Sequence, residues 1–254
     1  MNPDLPSAHT FHTVGDLYEG AVLVIDKPFG WTSFDVVNKL KWIILRKLKA
    51  PETIGQRRSF KIGHAGTLDP LATGMLVVCT GRMTKLISQI QGGSKTYTGT
   101  IRLGQTTPSF DLETAPEGDF PYHHLTEQQL HETAATFLGE QLQTPPAHSA
   151  KWIDGRRAYE AARKGEMVEM RKALIEIHGF RLTRIQLPDA AFEADVSKGT
   201  YIRSLAHDFG QRLGSGSHLA ALRRTSCAPY GEADMISMDE AIARLMRLCE
   251  EEQS

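Results

Sequence analysis

The stretch that most limits what this chain can fold into is Lys61-Ile62-Gly63-His64-Ala65-Gly66-Thr67-Leu68-Asp69-Pro70-Leu71-Ala72-Thr73-Gly74. It lies between two short apolar runs that read as strands, Ser59–Ile62 and Met75–Cys79. Gly63, Gly66 and Gly74 allow backbone angles closed to other residues, or the close approach of another segment. Pro70 lacks an N–H and pushes Asp69 away from helical geometry. Asp69 therefore belongs to a stiff loop flanked by sheet. Taken alone, an Asp-Pro in a glycine-rich loop is a turn aspartate that bonds its own backbone.

Gly63-His64-Ala65-Gly66-Thr67-Leu68-Asp69-Pro70-Leu71-Ala72-Thr73-Gly74 resembles the catalytic loop of the TruB-type tRNA pseudouridine synthases. In that family the aspartate is the essential catalytic residue, and Asp69 stands in its place. Other motifs recur in order. Lys27-Pro28-Phe29-Gly30-Trp31-Thr32-Ser33 resembles the family's first motif. Lys95-Thr96-Tyr97 resembles its Lys-x-Tyr, whose tyrosine stacks on the target base. Gly199-Thr200-Tyr201-Ile202-Arg203 resembles the motif whose tyrosine and arginine lie against the aspartate, and Leu222 falls where the base pocket is lined. Two positions depart from the pattern: His148 replaces a tyrosine, and Trp152 stands where a lysine is usual.

The resemblance covers most of residues 21–249 and implies an α+β fold, with a mixed, mainly antiparallel sheet, flanking helices and a central RNA-binding cleft. It implies isomerisation of uridine to pseudouridine at position 55 in the T-loop of tRNA. Asp69, Arg203 and Tyr97 are the expected catalytic residues. His64, Tyr201, Leu222, Lys27, Gly66 and Thr67 are expected at the substrate, with His64 filling the stack vacated by a flipped base. Substrate and product are isomers, so no cofactor or metal is expected. The expected partner is the tRNA T-arm, bound by a cytoplasmic monomer.

Composition is that of an ordinary globular chain and on its own argues mildly against a nucleic-acid partner. The 254 residues are 41% apolar and 23% charged, an ordinary soluble globular mix. The net charge of −1 supplies no global attraction for RNA, so any nucleic-acid surface has to come from local clustering. The three cysteines are widely spaced and form no C-x-x-C, which argues against a zinc site or a disulfide framework. No run reaches membrane-spanning length, and Met1–Val14 lacks the pattern of a secretory signal. His131-Glu132-Thr133-Ala134-Ala135 lacks the second histidine of a zinc-protease helix, and Gly214-Ser215-Gly216 lacks the third glycine of a dinucleotide loop.

Residues 1–20 read as a tail or a docking segment, 21–231 as the catalytic domain, and 232–254 as a short helix with an acidic tail and no PUA domain. Periodicity predicts a helix after Ser33 with Val36, Val37, Leu40, Ile43 and Ile44 on one face, capped by Ser33. It predicts a helix over Thr84–Gln91, a half-buried strand over Lys95–Leu103 and a capping box at Thr126–Gln129. It further predicts a charged helix over Arg156–Lys164 and three strands near Ala173–Ile177, Phe180–Ile185 and Ala191–Val196. A helical stripe is expected from Ile202 to Leu213, and a second capping box at Ser237–Glu240. Two competing functions remain: a tRNA-binding folding module without catalysis, using Arg156, Arg157, Arg223 and Arg224, and an aspartate-based glycoside hydrolase. The hydrolase would need a second carboxylate, for which Asp111 is the candidate.

Overall fold

The computed structural model describes residues 5–47, 60–148, 152–153, 156–157 and 170–251. The expected loop Ala50–Arg58 and most of the expected helix Arg156–Lys164 lie outside them. The chain divides into two compact units, Met1–Lys95 with Arg223–Ser254, and Thr96–Leu222.

The first unit is built on strands whose sequences are continuous apolar runs rather than alternating ones. Such a pattern belongs to strands covered on both faces. Strand β1 (Val22–Lys27) pairs antiparallel with β3 (Ala72–Thr80), Val24 opposite Val77. The short β2 (Ile62–His64) also pairs antiparallel with β3, and β11 (Ile236–Ser237) pairs parallel with β1. On one face, Leu23, Ile25, Leu76 and Val78 meet three helices: α1 (Val14–Glu19), α2 (Ser33–Lys47) and α6 (Met238–Glu251). On the other, Val22, Val24, Met75 and Val77 pack with Ile90 of α3 (Ile87–Gly92) and with Tyr230.

Helix α2 buries Val36, Val37, Leu40, Ile43 and Ile44 as expected. Its cap differs from expectation. Thr32 closes the first turn reciprocally with Asp35: the Asp35 carboxylate accepts the Thr32 N–H, and the Thr32 hydroxyl accepts the Asp35 N–H. Ser33 is thereby released for another task. Residues 5–20 are a docked segment. Thr13 forms a capping box with Asp16, and Val14 and Leu17 are fully buried. The expected helix over Thr84–Gln91 is split into a 3₁₀ turn, Gly81–Leu86, followed by α3.

The second unit is a more open sheet that reads as alternation. Strand β4 (Lys95–Leu103) buries Tyr97, Ile101 and Leu103 and exposes Arg102. Helix α4 (Glu127–Ala135) starts at the Thr126–Gln129 capping box. It leads into β5 (Gly139–Gln143), which pairs antiparallel with β8 (Ala173–Gln186). A small pair, β6 (Trp152–Ile153) with β7 (Arg156–Arg157), shows that Arg156 and Arg157 lie on a strand rather than on the expected helix.

Two of the three expected strands are one. Strand β8 buries Ile175 and Ile177, then Phe180 and Leu182, so the inward phase slips by one residue. The period of a strand is two. A bulge between Ile177 and Gly179 absorbs the extra residue and keeps both halves facing the core. Strand β9 (Asp189–Val196) pairs antiparallel with β8 and buries every second residue. Phe180 and Phe192 meet Phe137 and Phe209 in an aromatic cluster with ring centroids 5.7–6.3 Å apart. Phe209 belongs to α5 (Ile202–Arg212), after which β10 (Ser217–Cys227) carries the chain back to the first unit.

Because Leu17 is fully buried, Leu17→Ala should cost about 2–5 kcal/mol. Urea unfolding monitored by circular dichroism would measure it. A loss under about 0.5 kcal/mol would mean that the segment adds nothing to the core.

Candidate active site

In the first unit the loop that carries Asp69 is held by its own backbone. Gly66 and Gly74 have φ of +92° and +94°, whereas Gly63 is an ordinary strand residue. A Cβ on Gly74 would lie 2.2 Å from the Arg224 carbonyl oxygen, so only glycine fits there. The Ala65 N–H donates to Val77 O at 2.8 Å, and the Ala72 N–H to Asp69 O at 3.0 Å.

Three side chains complete the clamp. Ser33 Oγ accepts the Leu68 N–H at 2.8 Å and donates to Leu68 O at 3.0 Å. Arg224 is 1% exposed and donates to Gly66 O at 3.0 Å and Met75 O at 2.7 Å. Lys27 is fully buried, and its ammonium donates to the carbonyls of Pro28 (3.0 Å), Trp31 (2.6 Å) and Pro70 (3.4 Å). Pro70 O also accepts the Gly30 N–H at 2.9 Å. The first motif and the aspartate loop are thus tied together at residues 68 and 70, on either side of Asp69.

The structure places both Lys27 and Arg224 within this clamp. Lys27 was expected at the substrate. In this structure its ammonium donates to backbone carbonyls on both sides of the loop's junction with the first motif. Arg224, which the folding-module reading used for tRNA, is turned inward. Arg223 makes a two-pronged pair with Asp26 at 2.8–2.9 Å. Burial pushes the Lys27 ammonium down to about 8, while the charge of nearby Asp69, and then that of Asp35, opposes the shift. Burial first, and then the Arg224 charge, lower the His64 pKa, so the ring favours the neutral form. Thr67 is exposed, and Gly66, His64 and Asp69 are half-buried.

The second unit holds the other expected residues. Arg203 opens α5 and is 4% exposed, which rules out a solvated surface charge. Its Nε lies 3.7 Å from Asp111 Oδ2, and its Nη1 donates to His148 O at 2.9 Å and Ser109 O at 3.3 Å. Asp111 is 5% exposed and also accepts the Glu113 N–H at 3.0 Å. Tyr201 precedes the helix, and the Gln143 side chain clamps its backbone: Oε1 accepts the Tyr201 N–H at 2.8 Å, and Nε2 donates to Tyr201 O at 3.0 Å. Tyr97 is buried on β4, and Leu222 is half-buried on β10.

Sequence reading missed Ser33 as a loop clamp, Gln143 as the clamp on Tyr201, and Asp111 as the partner of Arg203. Their contacts are long-range, and a short polar residue carries no local sign of one. Among the described residues no cluster of histidine, cysteine, aspartate or glutamate has the form of a metal site. Among them, too, no helix is long and apolar enough to cross a membrane.

Comparison with known proteins agrees with this architecture. Residues 53–202 match the model of the TruB family pseudouridylate synthase N-terminal domain, and residues 203–254 that of the tRNA pseudouridylate synthase B C-terminal domain. The tRNA pseudouridine synthase B of Flavobacterium johnsoniae is 52% identical over 89% of this chain and 96% of its own length. That of Chlorobium chlorochromatii is 48% identical over 89% of this chain and 86% of its own. Among solved structures, a chain of a Cbf5-Nop10-Gar1 complex superposes with a TM-score of 0.68 at 26% identity. The match covers 98% of the present chain and 65% of that longer one.

Two predictions follow from the buried charges. A lysine whose folded pKa is depressed loses its proton in the folded state before the unfolded state does. Between about pH 8 and 10.5 the unfolded chain therefore binds more protons, and the contribution of Lys27 to stability rises with pH. The stability difference between wild type and Lys27→Met should increase across that window by up to about 3 kcal/mol. A difference that stays flat in urea titrations from pH 7.5 to 10.5 would mean that Lys27 titrates normally. Separately, Arg203→Met leaves the Asp111 carboxylate buried without its partner and should cost about 3–5 kcal/mol. Adding Asp111→Asn should recover part of that loss. If the double variant is less stable than Arg203→Met alone, the two side chains are not coupled as a pair.

Proposed function

The chain belongs to the TruB family of pseudouridylate synthases, and from that premise we propose that it converts uridine to pseudouridine in tRNA, at position 55 of the T-loop, with Asp69 as the catalytic carboxylate. The N1–C1′ glycosidic bond breaks, the uracil turns, and C5 bonds to the same C1′. The C5 proton leaves and N1 takes one up, so substrate and product balance without a cofactor.

The observation that carries the assignment of Asp69 is the way its loop is built. Ser33 and Lys27 bind the backbone at Leu68 and Pro70, on both sides of it, and Arg224 binds Gly66. A carboxylate that acts on ribose, by attack at C1′ or by removal of the C2′ proton, has to be held in a fixed orientation. Rigid backbone on either side of a half-buried aspartate supplies that.

The remaining roles are part of the same proposal. The target base lies inside a folded loop, and flipping it out costs a few kcal/mol. Tyr97 recovers part of this by stacking, worth about 1–3 kcal/mol per base. Neutral His64 suits the vacated place in the stack, because a neutral ring enters a base stack with less desolvation cost than a charged one. Leu222 and Tyr201 line the base. Arg203, paired with Asp111 in the second unit, keeps the role that the family motif gives it. Gly66 and Thr67 present the loop backbone to the nucleotide. The protein acts as a cytoplasmic monomer on the T-arm.

Incubation with an unmodified tRNA transcript, followed by site-resolved pseudouridine mapping, tests the reading. Asp69→Asn should lower turnover by at least about 10²–10⁴-fold while tRNA binding stays within a few-fold. Residual turnover above about one per cent would remove Asp69 from the chemistry. Binding without product in the wild type would favour the folding-module reading, and release of free uracil would favour a hydrolase.

A further inference from the structure

Helix α2 has a second face that the catalytic reading leaves unused. Opposite its buried side it exposes Phe34 (66%), Trp42 (51%) and Leu45 (46%). Lys39, Lys41 and Arg46 are exposed along the same helix. The Lys39 ammonium lies 5.7 Å over the Trp42 ring, which presets the pair as one platform. The single carboxylate of the described helix, Asp35, is engaged by the Thr32 N–H and hydroxyl. The exposed face is therefore locally cationic in a chain whose net charge is −1.

Its position in the first unit gives that charge a context. Phe34 follows Ser33, which binds Leu68, and Phe29 precedes Gly30, which binds Pro70. Phe29 is itself 65% exposed. The face thus begins at the loop that carries Asp69, and from Phe34 to Arg46 it rises about 18 Å along the helix. Cations interleaved with aromatic rings are the chemistry that takes a nucleic-acid backbone together with its unpaired bases. A purely apolar partner would leave Lys39, Lys41 and Arg46 without compensation.

We propose that the exposed face of α2 binds the substrate RNA beyond the modified nucleotide, with Lys39, Lys41 and Arg46 on phosphates and Trp42 and Phe34 stacked on unpaired bases. The proposal rests on the tRNA reading above and extends it to a second surface.

The test uses the full chain and an unmodified full-length tRNA, with Kd measured across a potassium chloride series. Replacing Lys39, Lys41 and Arg46 together by glutamine should weaken binding tenfold or more. It should also lower the slope of log Kd against log salt by about 2–3, at roughly 0.7–0.9 per phosphate contact. Trp42→Ala should weaken binding about tenfold at every salt concentration and leave the slope unchanged, since stacking releases no counterions. The triple variant Lys39→Arg, Lys41→Arg, Arg46→Lys keeps the charges and should bind as wild type does, which separates charge from folding. A glutamine variant whose Kd and slope stay within twofold of wild type overturns the proposal. So does a face whose variants change only self-association or protein binding. A wild type that makes no pseudouridine would instead overturn the functional reading, because the binding arms report on the surface alone.

Discussion

The structure around Asp69 depends on hydrogen bonds from buried cations to backbone carbonyls. Loops ordinarily stay on the surface because their peptide groups need water. Here a loop is drawn inward, and Lys27 and Arg224 replace the water for Gly66, Pro70, Met75, Pro28 and Trp31. Removing two cations from solvent is costly on its own. The cost is offset in part, because the ammonium and guanidinium donors each find defined acceptors and charge-assisted bonds are stronger than neutral ones; the remainder shows in the lowered pKa of Lys27. This stiffens a segment whose glycines would otherwise leave it loose. The glycines are needed for shape: Gly74 lets the chain pass against the Arg224 backbone, and Gly66 turns it.

The fold was legible where a pattern is local. The apolar runs of β1 and β3, the stripe of α2 and the Thr126–Gln129 box follow from periodicity and capping, and each formed as read. The failures share a cause. Ser33 precedes a helical pattern and so reads as a cap. Its hydroxyl has a distant acceptor and donor at Leu68, and Thr32 one residue earlier does the capping. His178-Gly179 reads as a break between strands, yet tertiary pairing with β9 absorbs it as a bulge. Among residues 5–20, Phe11, Val14 and Leu17 are buried and Leu5, Ala8 and Tyr18 pack partly buried against the core, a set that matches neither a helical nor a strand period.

The candidate site was legible to the extent that it is contiguous. Asp69 is announced by a dozen consecutive residues. Arg203 and Tyr201 sit in a short motif that sequence finds, but their supports, Asp111 and Gln143, lie 92 and 58 residues away in the chain. A charge on a sequence has no direction. Arg224 and Lys27 turn inward while Lys39 and Lys41 turn outward, and only the packing of their elements decides which.

The division of the chain also orders events at the ribosome. All the internal pairings of the second unit lie within Thr96–Leu222, one unbroken stretch. The first unit is discontinuous: β1 needs β11 as a parallel neighbour, and Arg224 comes long after the loop it holds. Translation therefore releases the second unit able to close its sheet while the Asp69 loop still lacks its guanidinium clamp. The nascent protein acquires its stiff Asp69 segment only near the end of synthesis, and a ribosome that stalls before residue 224 leaves that loop unfastened.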